Sequence, residues 1–307
     1  MNRSHHLRRS ALGVAAWPHH AEHLLIDWSS NDPVRREELP DDPRIRLLRV
    51  DGETSWNPSL AYNFGFAQAS SPWLMRMDAD CWPTHRLIPD ELLMRGAIWV
   101  GSGVEGRYGQ FLMPRSEYWR VGGFNEYMRG WGFEDKDLRF RLQIQQQKDI
   151  RELPEYGIAV IEHTNAERMG IATDSSQWLA RLGLSALRAS RLHNRLVAAH
   201  CPWGREVPRS RYLFAGESWR LKVGSRPVLE PALEQTLIQT RRRCFWSNLL
   251  IIPEEVVDVL PERALPADRC GSWPIRWWHR LYAETLGRLM MLPARGLGLF
   301  RGLLGSW

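Results

Sequence analysis

Along the first half of the chain, apolar positions fall into short runs and helical stripes separated by turn-forming residues. His23 to Asp27 (HLLID) and Ile45 to Val50 are apolar runs of strand length, and Trp28 to Pro33 (WSSNDP) carries the residues of a turn. Asn57-Pro58 starts a helix, with proline in its first position and Leu60, Phe64 and Ala67 at helical spacing. Trp73 to Met77 is a third strand, ending at Asp78-Ala79-Asp80. Beyond an irregular stretch and the glycine-rich Gly101 to Gly109, the pattern predicts a strand over Gln110 to Met113 and a short helix around Ser116 to Arg120. Gly130 to Phe133 is a loop, and a helix runs from Glu134 to Gln147 with Leu138, Leu142 and Gln145 on one side. A strand at Ile158 to Ile161 ends at Glu162-His163, and a Leu- and Arg-rich helical pattern covers Gln177 to Arg195. Alternating strands and helices predict an α/β domain over roughly residues 1 to 170 and a mainly helical extension over 171–307.

Composition narrows the class. With 307 residues, 44% of them hydrophobic, the chain can bury one large core with an appendage. The net charge of +6 suits anionic partners, although arginine richness also reflects genome composition. The arginines are spread along the chain with no reading module, which argues against nucleic acid as the partner. Cys81, Cys201, Cys244 and Cys270 form no CxxC pair, so they read as reduced residues of a cytoplasmic protein and not as a zinc site. No apolar signal core opens the chain, and no run of about 18 apolar residues could span a membrane. Trp, Arg and Leu over 276–304 suit either a helix in a membrane interface, peripheral on the inner face, or one docked on the protein itself.

Three features carry candidate chemistry. Asp78 and Asp80 follow an apolar strand, where two carboxylates can converge on a hard divalent cation such as Mn²⁺ or Mg²⁺; the plainer alternative is a solvated turn or helix cap. Glycines around Trp131 permit a tight loop presenting an indole to a sugar face. The acids Glu134, Asp135 and Asp137 then open a helix, either as favourable charges at its N-terminus or as a general base with its partner. His163, after a strand, is a surface or core residue or else a metal ligand with Asp80.

Together these blocks resemble the GT-A glycosyltransferases of the family 2 type, with a later half similar to the galactosyltransferase group. The matching residues are Asn2-Arg3 with His6-Leu7, Leu25 to Ser30, Asn63-Phe64-Gly65 leading to Asp78-Ala79-Asp80, and Gly122-Gly123-Phe124 through Trp131-Gly132-Phe133-Glu134-Asp135-Lys136-Asp137, with His163 last. The resemblance implies a GT-A fold, a mixed central sheet flanked by helices. It implies that Asp27 contacts the nucleoside, Arg3 lies near the diphosphate, Asp78 lies near the ribose, and Asp80 and His163 hold Mn²⁺ or Mg²⁺. Asp135 matches the catalytic base, and Glu134 and Trp131 match acceptor-contacting positions.

The activity so implied is metal-dependent, inverting transfer from a nucleotide-sugar, a UDP-sugar favoured, to a glycan or lipid-linked acceptor in polysaccharide or glycoconjugate synthesis. The competing expectation is an inactive nucleotide-sugar- or glycan-binding protein on the same scaffold. A glycosidase would also pair carboxylates, but the metal-type Asp-x-Asp speaks against it. Two departures stand out. In the family an apolar strand precedes the Asn-Arg block, and here Met1 abuts it, which predicts such a strand in the coding sequence upstream. Phe133 and Lys136 replace small or acidic residues, and Lys136 beside Asp135 would lower the pKa of the base.

Overall fold

The computed structural model describes residues 2–93, 97–102, 106–145, 147–162 and 177–249. His163, the expected domain boundary near 170, part of the glycine-rich stretch and the expected 276–304 helix lie outside the described residues. The chain forms two compact units interleaved in sequence: Met1–Glu126, Glu134–Glu162 and Trp203–Pro227 in one, Tyr127–Phe133, His163–Pro202 and Val228–Trp307 in the other.

In the first unit, helix α1 (Ser4–Ala15) precedes β1 (His23–Trp28), β2 (Ile45–Asp51), α2 (Pro58–Gln68), β3 (Trp73–Arg76), β4 (Cys81–Pro83), α3 (Pro89–Leu93), β5 (Ile98–Val100), β6 (Phe111–Pro114), α4 (Arg115–Arg120), α5 (Glu134–Phe140), β7 (Ile150–Glu152) and β8 (Ile158–Val160). β1 and β2 pair in parallel, with Leu25 opposite Leu47 and Asp27 opposite Arg49. The later hairpin β9 (Tyr212–Ala215) and β10 (Ser218–Leu221) extends this sheet, β10 running parallel to β2. A second sheet has the order β3-β6-β5-β7, antiparallel except for β5 with β7, and β4 pairs with β8. The mixed strands are thus divided between two four-stranded sheets and a ribbon, with β1 and β3 as end strands.

Helix α2 explains how this unit holds together. Asn57 caps it, its side chain accepting from the Leu60 N–H, and Pro58 supplies the first turn. Leu60, Ala61 and Phe64 pack on Trp28 and Val50 of the first sheet, with Tyr212 and Trp219 of the hairpin. Phe66 packs with Leu74, Phe111 and Met113 of the second sheet and with Tyr118 and Phe124. A helix apolar on several sides is a buried one, and this one delivers Tyr62 and Asn63 to the interior.

In the second unit, α6 (Gln177–His200) and α7 (Pro231–Leu249) pack through Leu192, Leu196, Val197 and Leu237. Met128 and Phe133 of the 127–133 loop join this core. No helix among the described residues is long and apolar enough to cross a membrane.

Candidate active site

The end of β3 is a network of oxygens and donors. Asp78 and Gln110 bind reciprocally: the Asp78 N–H donates to Gln110 Oε1 at 2.9 Å, and Gln110 Nε2 donates to Asp78 Oδ2 at 2.9 Å. Asp78 Oδ1 accepts from Arg76 Nη2 at 3.1 Å and from the Tyr62 hydroxyl. Burial would raise the Asp78 pKa, but the Arg76 charge and these donors outweigh it and hold it below its ordinary value. Asp80, two residues on, has further partners. Its Oδ2 is 3.7 Å from Arg3 Nη1, and its Oδ1 accepts from the Cys81 thiol at 3.4 Å. Burial and the charges of Asp78 and Asp80 push the Cys81 pKa up, so this thiol stays neutral.

The second acidic block is set by a turn that two side chains clamp. Asn63 uses its whole amide: Oδ1 accepts from the Phe124 N–H (2.9 Å) and the Tyr118 hydroxyl (2.5 Å), and Nδ2 donates to Phe124 O (2.9 Å) and Glu126 Oε1 (2.8 Å). Gly123 must be glycine here: its φ is +72°, and a Cβ would fall 2.5 Å from Asn63 Oδ1. On the other side, buried Arg141 grips Asp137 through Nε (3.0 Å) and Nη2 (2.7 Å) and donates to the Val121 and Gly123 carbonyls. The expected long helix stops at Phe140 and passes into a π-turn over Arg141–Gln145.

Glu134, first residue of α5, is buried, with its Oε1 3.6 Å from Arg76 Nη2. Burial raises its pKa to about 7, the neighbouring Asp135 adds to that, and Arg76 opposes both. Asp135 is half-buried, and its Oδ1 accepts from the Lys136 N–H. The Lys136 ammonium lies 5.9 Å from the centre of the Tyr108 ring. Phe133, just before Glu134, has φ +75°, a strained conformation for a residue with a side chain.

Arg76 and Tyr62 were not among the residues expected. The guanidinium lies over the Tyr62 ring at 4.3 Å and the Phe124 ring at 5.2 Å, between Asp78 and Glu134. A charged residue inside the apolar run WLMRM was the signal that could have revealed it. Trp56, 37% exposed, lies 6.4 Å from the Tyr62 ring and is a second aromatic group that the pattern did not single out.

Of the expected residues, the first unit joins Asp78, Glu134 and Asp135 through the charge of Arg76, and pairs Arg3 with Asp80. Asp27 is committed to its own surroundings. Its carboxylate is buried and accepts from the Ser30 N–H (3.2 Å), the Val34 N–H (3.0 Å) and Arg49 Nη1 (2.7 Å), which shapes the loop after β1. Trp131 belongs to the second unit and is 39% exposed. Its backbone N–H donates to Ser190 Oγ at 2.9 Å, while Asn194 accepts from the Arg129 N–H and donates to Gly132 O. His163 lies outside the described residues.

Among the described residues no three of His, Cys, Asp and Glu converge on a cation. The ion that the resemblance implies would be held at this strand end by Asp80, beside Arg3. One carboxylate suits a cation that keeps substrate phosphates among its ligands.

Several known proteins match this sequence. The family described as glycosyl transferase family 2 matches residues 2–133, and the N-terminal domain of galactosyltransferase matches residues 103–165. Human beta-1,4-galactosyltransferase 4 is 37% identical over 86 residues, 25% of each chain. The protein of the same name from Cricetulus griseus is 28% identical over 178 residues, 50% of each chain, and that from Rattus norvegicus is 28% identical over 193 residues, 54% of each. The chain therefore spans between a quarter and about half of the length of these relatives. The catalytic domain of Drosophila beta1,4galactosyltransferase 7, solved with xylobiose, aligns with a TM-score of 0.36 at 13% identity, covering 58% of this chain and 78% of that one. Over residues 2–165 the sequence is thus similar to family 2-type glycosyltransferases, with a galactosyltransferase-type block in the later part of the matched region.

Proposed function

We propose that this protein transfers a hexosyl group from a nucleotide-diphosphate sugar, a UDP-sugar by preference, to an acceptor hydroxyl with inversion at the anomeric carbon. The observation that carries this reading is the joining of Asp78, at the end of one strand, to Glu134, at the start of a distant helix, through Arg76. It supports a reading in which donor-side and acceptor-side groups serve one site.

In this mechanism Asp135 accepts the proton of the acceptor hydroxyl as its oxygen bonds to the anomeric carbon. The bond from that carbon to the diphosphate oxygen breaks, and the nucleotide diphosphate leaves with the electron pair. General-base assistance of this kind is worth about a hundred- to ten-thousand-fold. Glu134 accepts a hydrogen bond from an acceptor hydroxyl and orients it. Arg3 carries positive charge to the diphosphate, and Asp78 lies toward the ribose. Asp27 holds the loop at residues 29–34 in shape against the nucleoside, and Trp56 offers the base an exposed ring. A divalent cation, Mn²⁺ or Mg²⁺ on Asp80 and His163, would neutralise the charge developing on the leaving diphosphate. Trp131 offers its indole face to a sugar ring. Residues 276–304, rich in Trp, Arg and Leu, fit contact with a membrane that carries a lipid-linked acceptor.

The test is a panel of nucleotide-sugars with Mn²⁺, UDP-galactose first because the relatives are galactosyltransferases, read as nucleotide diphosphate released with and without glycan acceptors. Acceptor-stimulated release that Asp135→Asn abolishes is expected. Release from no donor, or wild-type turnover in Asp135→Asn, overturns the proposal.

A further inference from the structure

Arg76 is a cation inside an apolar strand, its side chain 5% exposed. Charged groups are seldom buried unless paired, and this one faces two carboxylates. Its Nε and Nη2 donate to Asp78 Oδ1 at 3.3 and 3.1 Å, and Nη2 is 3.6 Å from Glu134 Oε1. Glu134 Oε2 and Arg76 Nη1 are both buried and have no hydrogen-bond partner among the described residues. The carboxylate at the head of α5 is thus removed from water, with a backbone N–H and one guanidinium to face. Other ionisable groups bearing on the pair are Asp78 beyond β3, Tyr62 on α2, Cys81 on β4, Tyr118 on α4, and Asp135 and Arg139 on α5.

We propose that Arg76 is a positioning residue that couples the two sides of the site, sharing one buried guanidinium between Asp78 and Glu134 so that Glu134 can ionise in a dry setting and keep a fixed direction. The assignment rests on the proposed role of Glu134 toward the acceptor. It adds that the charge on the donor-side carboxylate governs the acceptor-side one. Neutralising Asp78 removes a like charge near Glu134 and leaves the guanidinium to Glu134 and the more distant Asp135. Removing Arg76 leaves Glu134 facing Asp78 and Asp135 with no cation between them. The physical basis is that a nearby opposite charge favours an ionised form and a nearby like charge disfavours it.

The experiment is a ¹³C titration of carboxyl-labelled glutamates in the full chain, with Glu134→Gln to assign the resonance. It needs no substrate, so it reads the coupling even if the chain transfers no sugar. The midpoint for Glu134 is expected to rise by about 1 to 3 pH units in Arg76→Met. It should return toward the wild-type position in Arg76→Lys and fall below it in Asp78→Asn. Midpoints unmoved in Arg76→Met, or in Asp78→Asn if the Met variant shows no cooperative melting, overturn the proposal. Where the wild type turns over a nucleotide-sugar, the acid limb of kcat/KM for the acceptor must move with the titration in Arg76→Lys and Asp78→Asn. A limb that stays fixed while the resonance shifts also overturns it.

Discussion

The Arg3 guanidinium stands 3.7 Å from the Asp80 carboxylate, so the carboxylate proposed to hold a cation is faced by a cation of the protein's own. A divalent ion must compete with Arg3 for Asp80, whereas a diphosphate gains from both positive charges. Arg3→Ala should therefore tighten Mn²⁺ binding to the free protein and weaken UDP binding in the presence of Mn²⁺. Calorimetry with Mn²⁺ alone, then with UDP and Mn²⁺, checks both signs. In Asp80→Ala the metal dependence of UDP binding should vanish.

Asp135→Asn should leave UDP affinity within about twofold and reduce turnover by roughly a hundred- to ten-thousand-fold, the range for a lost general base. Glu134→Gln should act differently, raising KM for the acceptor more than it lowers kcat, since it keeps the shape of the group and removes its charge. Steady-state kinetics over a range of acceptor concentrations separates the two.

Stability should depend on pH in opposite directions through the two carboxylates that Arg76 faces. Glu134 has an ordinary value of 4.5 and a folded value of about 7, so the folded state holds its proton more tightly. Its contribution is complete below about 4.5 and is lost as pH rises toward 7. Asp78, held below its ordinary 3.8, contributes above that value and loses the contribution as pH falls. Relative to the wild type, Glu134→Gln should gain melting temperature between pH 5 and 8. Asp78→Asn should narrow its deficit below pH 4. Thermal melts across that range give the comparison.

Asn63→Ala takes a partner from the Phe124 carbonyl and the Tyr118 hydroxyl, and leaves the Phe124 N–H only its 3.3 Å bond to the Tyr118 oxygen and Glu126 its bond from the Ser210 N–H, all in the buried interior. Loss of a fully used buried amide should cost about 3 kcal/mol, read as a lower denaturant midpoint. Activity should fall further than stability implies, because the turn that Asn63 holds leads through Glu126 toward Glu134.

Much of the fold was legible from local pattern. The strands at 23, 45, 73 and 111 and the helices at 58, 115 and 177 fall where apolar period and turn residues put them, because each is specified by its own side chains and caps. Other elements depend on distant partners. α1 has a short apolar stripe of Leu7, Ala11 and Val14 within a run of basic residues, and it was not singled out. The β9–β10 hairpin, turning at Gly216, becomes part of the first sheet only by pairing with β2 far back in the chain. The helix from Glu134 is shorter than its pattern, and just past its end Arg141 is drawn onto Asp137 and two carbonyls of the glycine turn.

The sequence by itself determined the types of group available: an acid pair after an apolar strand, an acidic helix start behind a glycine-tryptophan loop, and the resemblance of these blocks to a known family. Residue type and spacing are local properties, so they survive without coordinates. Only the tertiary structure decided how those acids are used. It tied Asp78 into four donors while pairing Asp80 with Arg3, buried Asp27 in its own loop, and set Arg76 between Asp78 and Glu134. Which charges face one another, and how dry the space between them is, depends on packing between residues far apart in the chain, and that packing fixes what each carboxylate can do.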